Sequence, residues 1–130
     1  EKLAAAEPDN LAVRNNLAMT GLLLNPDDPT AHRLARECYQ GDPRNPNYIS
    51  THAFALSLAG KTDEALQVFG ELGKEHRGDT IGVYLGLVLS KAGRGAEAAE
   101  RLRDWEKVRL LPEEVALVRR ALATMPTTDV

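Results

Sequence analysis

Pro46–Leu72 reads PNYISTHAFALSLAGKTDEALQVFGEL. Ile49, Ala53, Leu56 and Gly60 recur at the spacing of one helical face. Gly60-Lys61-Thr62 interrupts that helix. Thr62 is placed to cap the next one, and Asp63 and Glu64 suit its positive end. A second stripe follows at Ala65, Val68, Phe69 and Leu72. Two short amphipathic helices joined at a glycine turn form an αα-hairpin. A single hairpin cannot bury its own apolar surface and therefore requires neighbours of the same kind.

The sequence supplies them. Thirty-three residues further on, Gly60 recurs as Gly93, Ala65 as Ala98, Phe69 as Leu102 and Leu72 as Trp105. In the first helix His52, Ala53 and Leu56 recur as Leu85, Gly86 and Leu89. Thirty-five residues back, Leu17-Ala18 lies under His52-Ala53, and Ala31, Ala35 and Cys38 lie under Ala65, Phe69 and Leu72 at a shift of 34. The one-residue difference falls in the Asn25-Pro26-Asp27-Asp28 turn. Pro8-Asp9-Asn10 and Pro43-Arg44-Asn45 punctuate the units. A period near 34 with two helices per unit predicts an all-α helical-repeat array.

These residues resemble the tetratricopeptide repeat family. The match is carried by Leu17-Ala18, Leu85-Gly86, Gly60, Gly93, Ala31, Ala65, Ala98, Phe69, Pro8 and Pro43. The chain departs from the family pattern at Arg14 and Gly82, where a large apolar residue is usual. It departs again at His52, at Asn25 and near Arg77, where a leucine, the turn glycine and the boundary proline are replaced or missing. The resemblance implies a right-handed α-solenoid of about three hairpins, at residues 11–45, 46–78 and 79–111. A C-terminal capping helix over 112–125 completes a single domain, 1–125, followed by a tail.

At 130 residues the chain has room for one domain. Its formal net charge of −3 argues against a nucleic-acid surface, which would show a basic stripe. The apolar run Gly21–Leu24 is far too short to cross a membrane. With one cysteine, Cys38, no intrachain disulfide can form. EKLAAAEPDN at the start reads as the end of a preceding second helix, so the chain is expected to be part of a longer, bacterial polypeptide. Its compartment stays open, cytoplasmic or periplasmic.

The elements are expected as follows. Helices cover Leu11–Leu24, Asp28-capped Pro29 to about Gln40, and Pro46 to the Gly60 turn. Its partner runs from Thr62 to about Gly73. Asp79 then caps a strongly apolar helix from Thr80 to Ala92, where Gly82 and Gly86 imply close approach of a neighbouring helix. Its partner runs from Gly95 to about Arg109. The last helix opens at Pro112 with an apolar stripe at Leu111, Val115, Val118, Leu122 and Met125. Glu113, Glu114, Arg119 and Arg120 are expected toward solvent, and the helix should cover Leu85, Leu102 and Trp105.

No catalytic constellation emerges. His32, His52 and His76 lie on separate elements without ligand spacing, so no metal or other cofactor is expected. Cys38 replaces an apolar landmark and reads as a packed small hydrophobe rather than a nucleophile. Gly93-Arg94-Gly95 lacks the remainder of a phosphate-binding loop. A surface remains. In the family resembled, the first helices line a concave groove that binds an extended peptide or a partner helix. The residues aligned with that groove include Asn15, Asn16, Met19, Ser50, Phe54, Leu58, Tyr84 and Leu87. Met19, Phe54 and Leu87 would form an apolar strip between polar edges, with Phe54 off the core stripe. The expected function is non-catalytic binding of a protein or peptide. The alternatives are a structural spacer or self-association unit, and an accessory domain of an enzyme whose catalytic part lies upstream.

Overall fold

The computed structural model describes residues 8–70, 72–76 and 78–124. Seven helices longer than a single turn carry this part of the chain, with no strand among the described residues. They are α1 (Pro8–Leu24), α2 (Pro29–Gly41), α3 (Pro46–Leu58), α4 (Thr62–Phe69), α6 (Thr80–Lys91), α7 (Gly95–Leu102) and α8 (Pro112–Thr124). A one-turn helix, α5 (Leu72–Glu75), and a 3₁₀ turn at Trp105–Lys107 lie between them.

The starts of three helices are fixed by side chains. Asp28 accepts from the Thr30 N–H at 3.0 Å, and Asp79 accepts from the Gly82 N–H at 2.8 Å. Asn45, expected only to punctuate the unit, accepts from the Asn47 and Tyr48 N–H groups. Pro29 and Pro46 sit in the first turns, where a missing N–H costs little. Thr62 does not cap α4. It is already helical, and Lys61 occupies the cap without a side-chain bond. Gly60 and Gly93 turn the second and third hairpins with φ of 84° and 81°, a region glycine enters without steric cost.

Three helix pairs pack as hairpins, α1 on α2, α3 on α4, and α6 on α7. The first helices also lie side by side, α1 against α3 and α3 against α6, while α2 and α4 back onto α3 and α6. Small residues set the closeness: Ala18, Ala35, Ala53, Ala65 and Ala98 are all fully buried. At Gly86 an added Cβ would come within 2.8 Å of Leu102, which explains that glycine by the approach of α7. At Gly82 the obstruction is the His76 backbone carbonyl, so there a loop and not a helix excludes a side chain.

The partner helix in the second hairpin stops at Phe69 instead of continuing to about Gly73, before the one-turn α5. The partner helix in the third hairpin stops at Leu102 instead of continuing to Arg109. Arg103, Asp104, Glu106 and Lys107 are exposed, so continued helix would have had little apolar face to bury. The chain instead turns at half-buried Trp105 and becomes extended at Val108.

The last helix is also rotated from its expected face. Val118 is fully buried, but Leu111 and Leu122 are 52% and 37% exposed, and Met125 lies outside the described residues. Leu117 and Ala121 join Val118 on the inward side. α8 packs on α6 and also reaches α1, so it lies on the side where the first helices meet. Arg119 lies over the Trp105 ring, 5.3 Å from its centroid. Among the described residues, no helix is long and apolar enough to cross a membrane.

Candidate binding cleft

Because α1, α3 and α6 lie side by side while α8 packs on α6, a cleft opens between α8 and the first two of these helices. Its larger chamber is a cavity of about 590 Å³, with Asn15, Asn16, Met19, Ser50, Thr51 and Tyr84 among its lining residues. A smaller chamber of about 320 Å³ involves the next turns of the same helices. It is lined by Leu22, Leu23, Phe54 and Leu58 on one side and by Leu117 and Arg120 on the other. The first chamber is rich in amides and hydroxyls, whereas the second is largely apolar.

Glu114 fixes the α8 wall. It was expected in solvent, yet it is only 6% exposed. Its Oε2 accepts from the Tyr84 hydroxyl at 2.5 Å, and its Oε1 accepts from the Leu111 N–H at 2.8 Å. The second bond is the return half of a capping box, an acid three residues into a helix reaching back to the cap. The first satisfies a hydroxyl held within an otherwise apolar helix. Burial, then the bond to Glu114 and its charge, push the Tyr84 phenol far above its ordinary range, so it remains a donor. Sequence reasoning missed this pair. Its traces were the Leu111–Glu114 spacing and a lone phenol in the run IGVYLGLVL.

Two polar groups at the cleft lack partners. Asn15 and Ser50 are 7% and 3% exposed, and both line the larger chamber. Neither Asn15 Oδ1 nor Ser50 Oγ has a hydrogen-bond partner. A buried polar group left without one costs about 1–3 kcal/mol. Both atoms are closed off from solvent, so a ligand that supplied donors would remove that penalty only after a rotamer change turned them into the chamber.

The sequence-selected residues separate into two groups. Asn15, Asn16, Met19, Ser50 and Tyr84 meet at the larger chamber, while Phe54 and Leu58 line the smaller one. Leu87 is buried and lines neither. Of the apolar strip expected as an open patch, Phe54 and Leu87 belong to the core, and Met19 is half-buried against it. Phe54 is 4% exposed and meets Tyr84 edge-on, with ring centroids 4.9 Å apart. The helical period placed Phe54 off the stripe that meets α4, but this other face meets α6. Phe54→Asp is therefore expected to damage the fold, not merely a contact surface.

Cys38 is fully buried, and its thiol donates to the Leu11 carbonyl at 3.4 Å. Burial, followed by the smaller opposing influence of Arg14 and the reinforcing one of Glu37, raises its pKa and keeps it protonated. Among the described residues, no group of three His, Cys, Asp or Glu side chains is placed to hold a metal ion. Compared with family models, curated proteins and solved structures, the chain matches none.

Proposed function

We propose that this chain is a helical-repeat module, a right-handed solenoid resembling the tetratricopeptide family, that binds a segment of another protein in the cleft between α1, α3 and α8. The observation carrying this reading is the pair of unpartnered buried atoms, Asn15 Oδ1 and Ser50 Oγ, at a cavity large enough for several residues of chain. An extended peptide offers backbone N–H groups at regular intervals and suits acceptors in a narrow cleft. A helix would satisfy those N–H groups internally and would compete with α8 for space.

A selection from a random-peptide library on the immobilised protein tests this reading. The double substitution Asn15→Ala, Ser50→Ala is expected to weaken selected peptides about tenfold or more, the loss of one to two hydrogen bonds. It should not lower the melting temperature, since it removes unsatisfied groups. Selected peptides indifferent to the double substitution would place binding elsewhere.

One observation favours a second reading, self-association. Val13, Leu17 and Leu24 on α1 are 57%, 58% and 71% exposed and lie at helical spacing. A dimer at micromolar concentration that Leu17→Lys disperses would support this reading.

A further inference from the structure

A separate cavity of about 340 Å³ lies where α2, α3 and the start of α4 meet, and it belongs to none of the elements of the binding cleft except α3. His32 and Arg36 from α2, His52 from α3, and Lys61 and Glu64 at the start of α4 line it. Two cations and two imidazoles therefore face one acid in a chain whose net charge is −3. Neighbouring arginines are neutralised locally. Arg14 and Arg33 pair with Glu37, and Arg94 grips Glu97 through two bonds at 2.6 and 3.0 Å. Arg36 and Lys61 form no such pair among the described residues.

The contrast with the third hairpin is informative. Lys61 and Glu64 stand at the same places in α4 as Arg94 and Glu97 in α7, each cation at the cap and each acid three residues on. Arg94 closes onto its acid, whereas Lys61 does not. His52 adds directionality. Its ring stacks on Tyr39, with centroids 4.9 Å apart and planes 22° apart, which fixes the imidazole plane. Its Nδ1 is enclosed and without a partner. Of the two ring nitrogens, Nε2 is thus the one left to donate to a ligand.

We propose that this cavity is a binding site for a small phosphate oxyanion, held by the Arg36 guanidinium, the Lys61 ammonium and the His52 Nε2–H. The guanidinium offers a planar fork matched to two phosphate oxygens, and the ammonium offers a point charge beside it. Ala55, Leu56 and Ala59 complete the wall and give room for a small apolar carrier of the phosphate. Glu64 is the acid an incoming anion must tolerate, and the two unpaired cations exceed it in charge. This inference does not depend on the cleft reading.

The site also predicts a pH response. In the free protein, burial first and then Arg36 lower the His52 pKa below its ordinary 6.5, while Glu64 opposes them. The unfolded chain then takes up this proton more readily, so His52 contributes stability that is present above pH 6.5 and is lost as pH falls below it. A bound phosphate faces the same ring with negative charge and should raise its pKa.

The test is an NMR titration of the imidazole resonances with inorganic phosphate, at constant ionic strength maintained with chloride. The His52 signals should shift saturably in the millimolar range, with a raised pKa, while those of His76 stay in place. Arg36→Gln and Lys61→Gln should each weaken the response about tenfold. Thermal melts at neutral pH verify that each variant is folded. A linear shift shared by His52 and His76, or a response unchanged in Arg36→Gln, overturns the proposal. Acetate producing the same saturation would show that the site does not select phosphate. Retention on vesicles containing phosphatidic acid, without a response to free phosphate, would overturn the small-ligand assignment.

Discussion

Leu17 and Leu85 occupy equivalent positions in the first helices of the first and third hairpins, but Leu17 is 58% exposed and Leu85 only 7%. Between them in the repeat stands His52, half-buried and stacked on Tyr39 of α2. Thus the position faces the second helix of the preceding hairpin. α3 has α2 there and α6 has α4, whereas among the described residues α1 has no such neighbour. The same residue in the same local structure is core or surface according to what precedes it. In a repeat architecture, burial is a property of the junction between units more than of the unit itself.

The largest expected effect comes from stripping a neighbour from the covered end. Truncation after Leu110 removes α8, and with it fully buried Val118 and the Glu114 acceptor of Tyr84. Loss of the Val118 burial costs about 1.5–3 kcal/mol. Leaving the Tyr84 hydroxyl without its partner costs about 1–3 kcal/mol more, unless water replaces Glu114. Against a typical total of about 5–15 kcal/mol, the melting temperature should fall by about 10 °C or more. Trp105, released from Arg119, should shift its fluorescence to the red. A truncated chain that melts like the full one would show that α6 does not need this neighbour.

How much of this was legible in the sequence follows the same division. The hairpins were readable because their small residues and turn glycines recur in register: Ala18, Ala53 and Gly86 in the first helices, Ala31, Ala65 and Ala98 in the second, and Gly60 and Gly93 at the turns. The end of α7 was not, because the alignment carried Trp105 into the place of Leu72 and extended the helix with it. The true face of α8 was hidden for a different reason. Its strongest apolar stripe competes with Glu114, whose inward turn depends on Tyr84, thirty residues earlier in the sequence. Of the candidate cleft, the meeting of Asn15 and Ser50 at one cavity was legible from the groove alignment. The wall supplied by α8 was not, since no period relates that helix to the others.

A smaller effect tests whether the third hairpin is packed more tightly than the second. Alanine stands at 53 where glycine stands at 86, and Leu102 replaces Phe69 opposite. Gly86→Ala would place a methyl 2.8 Å from both Cγ and Cδ2 of a leucine that is itself fully buried. Overpacking of this kind costs about 1–3 kcal/mol, partly offset by the gain of about 1 kcal/mol from replacing glycine within a helix. A net loss of up to about 2 kcal/mol is therefore expected in a urea melt. Ala53→Gly in the second hairpin loses helix propensity, about 1 kcal/mol, and a fully buried methyl, about 0.8 kcal/mol more. Equal stabilisation of the protein by Gly86→Ala would mean that α6 and α7 have slack between them.

The smallest expected change returns to the opening pair. Leu17→Lys puts an ammonium where water already reaches the side chain, and a long stem can lie along α1 beside Val13. Its effect on stability should stay within about 0.5 kcal/mol, the usual range for a surface site. Leu85→Lys must carry the same ammonium into the α4–α6 junction, where burial of an unpaired charge is costly, and should destabilise by several kcal/mol. Measured side by side in urea at low protein concentration, the two variants separate local propensity, which the substitutions share, from the junction, which they do not. If Leu17→Lys is as damaging as Leu85→Lys, the face of α1 bearing Val13, Leu17 and Leu24 has a cover in solution. Repeating the melt across a hundredfold range of protein concentration then identifies the source. A midpoint that rises with concentration assigns the cover to a second copy of the chain, and an invariant midpoint assigns it to the chain's own residues.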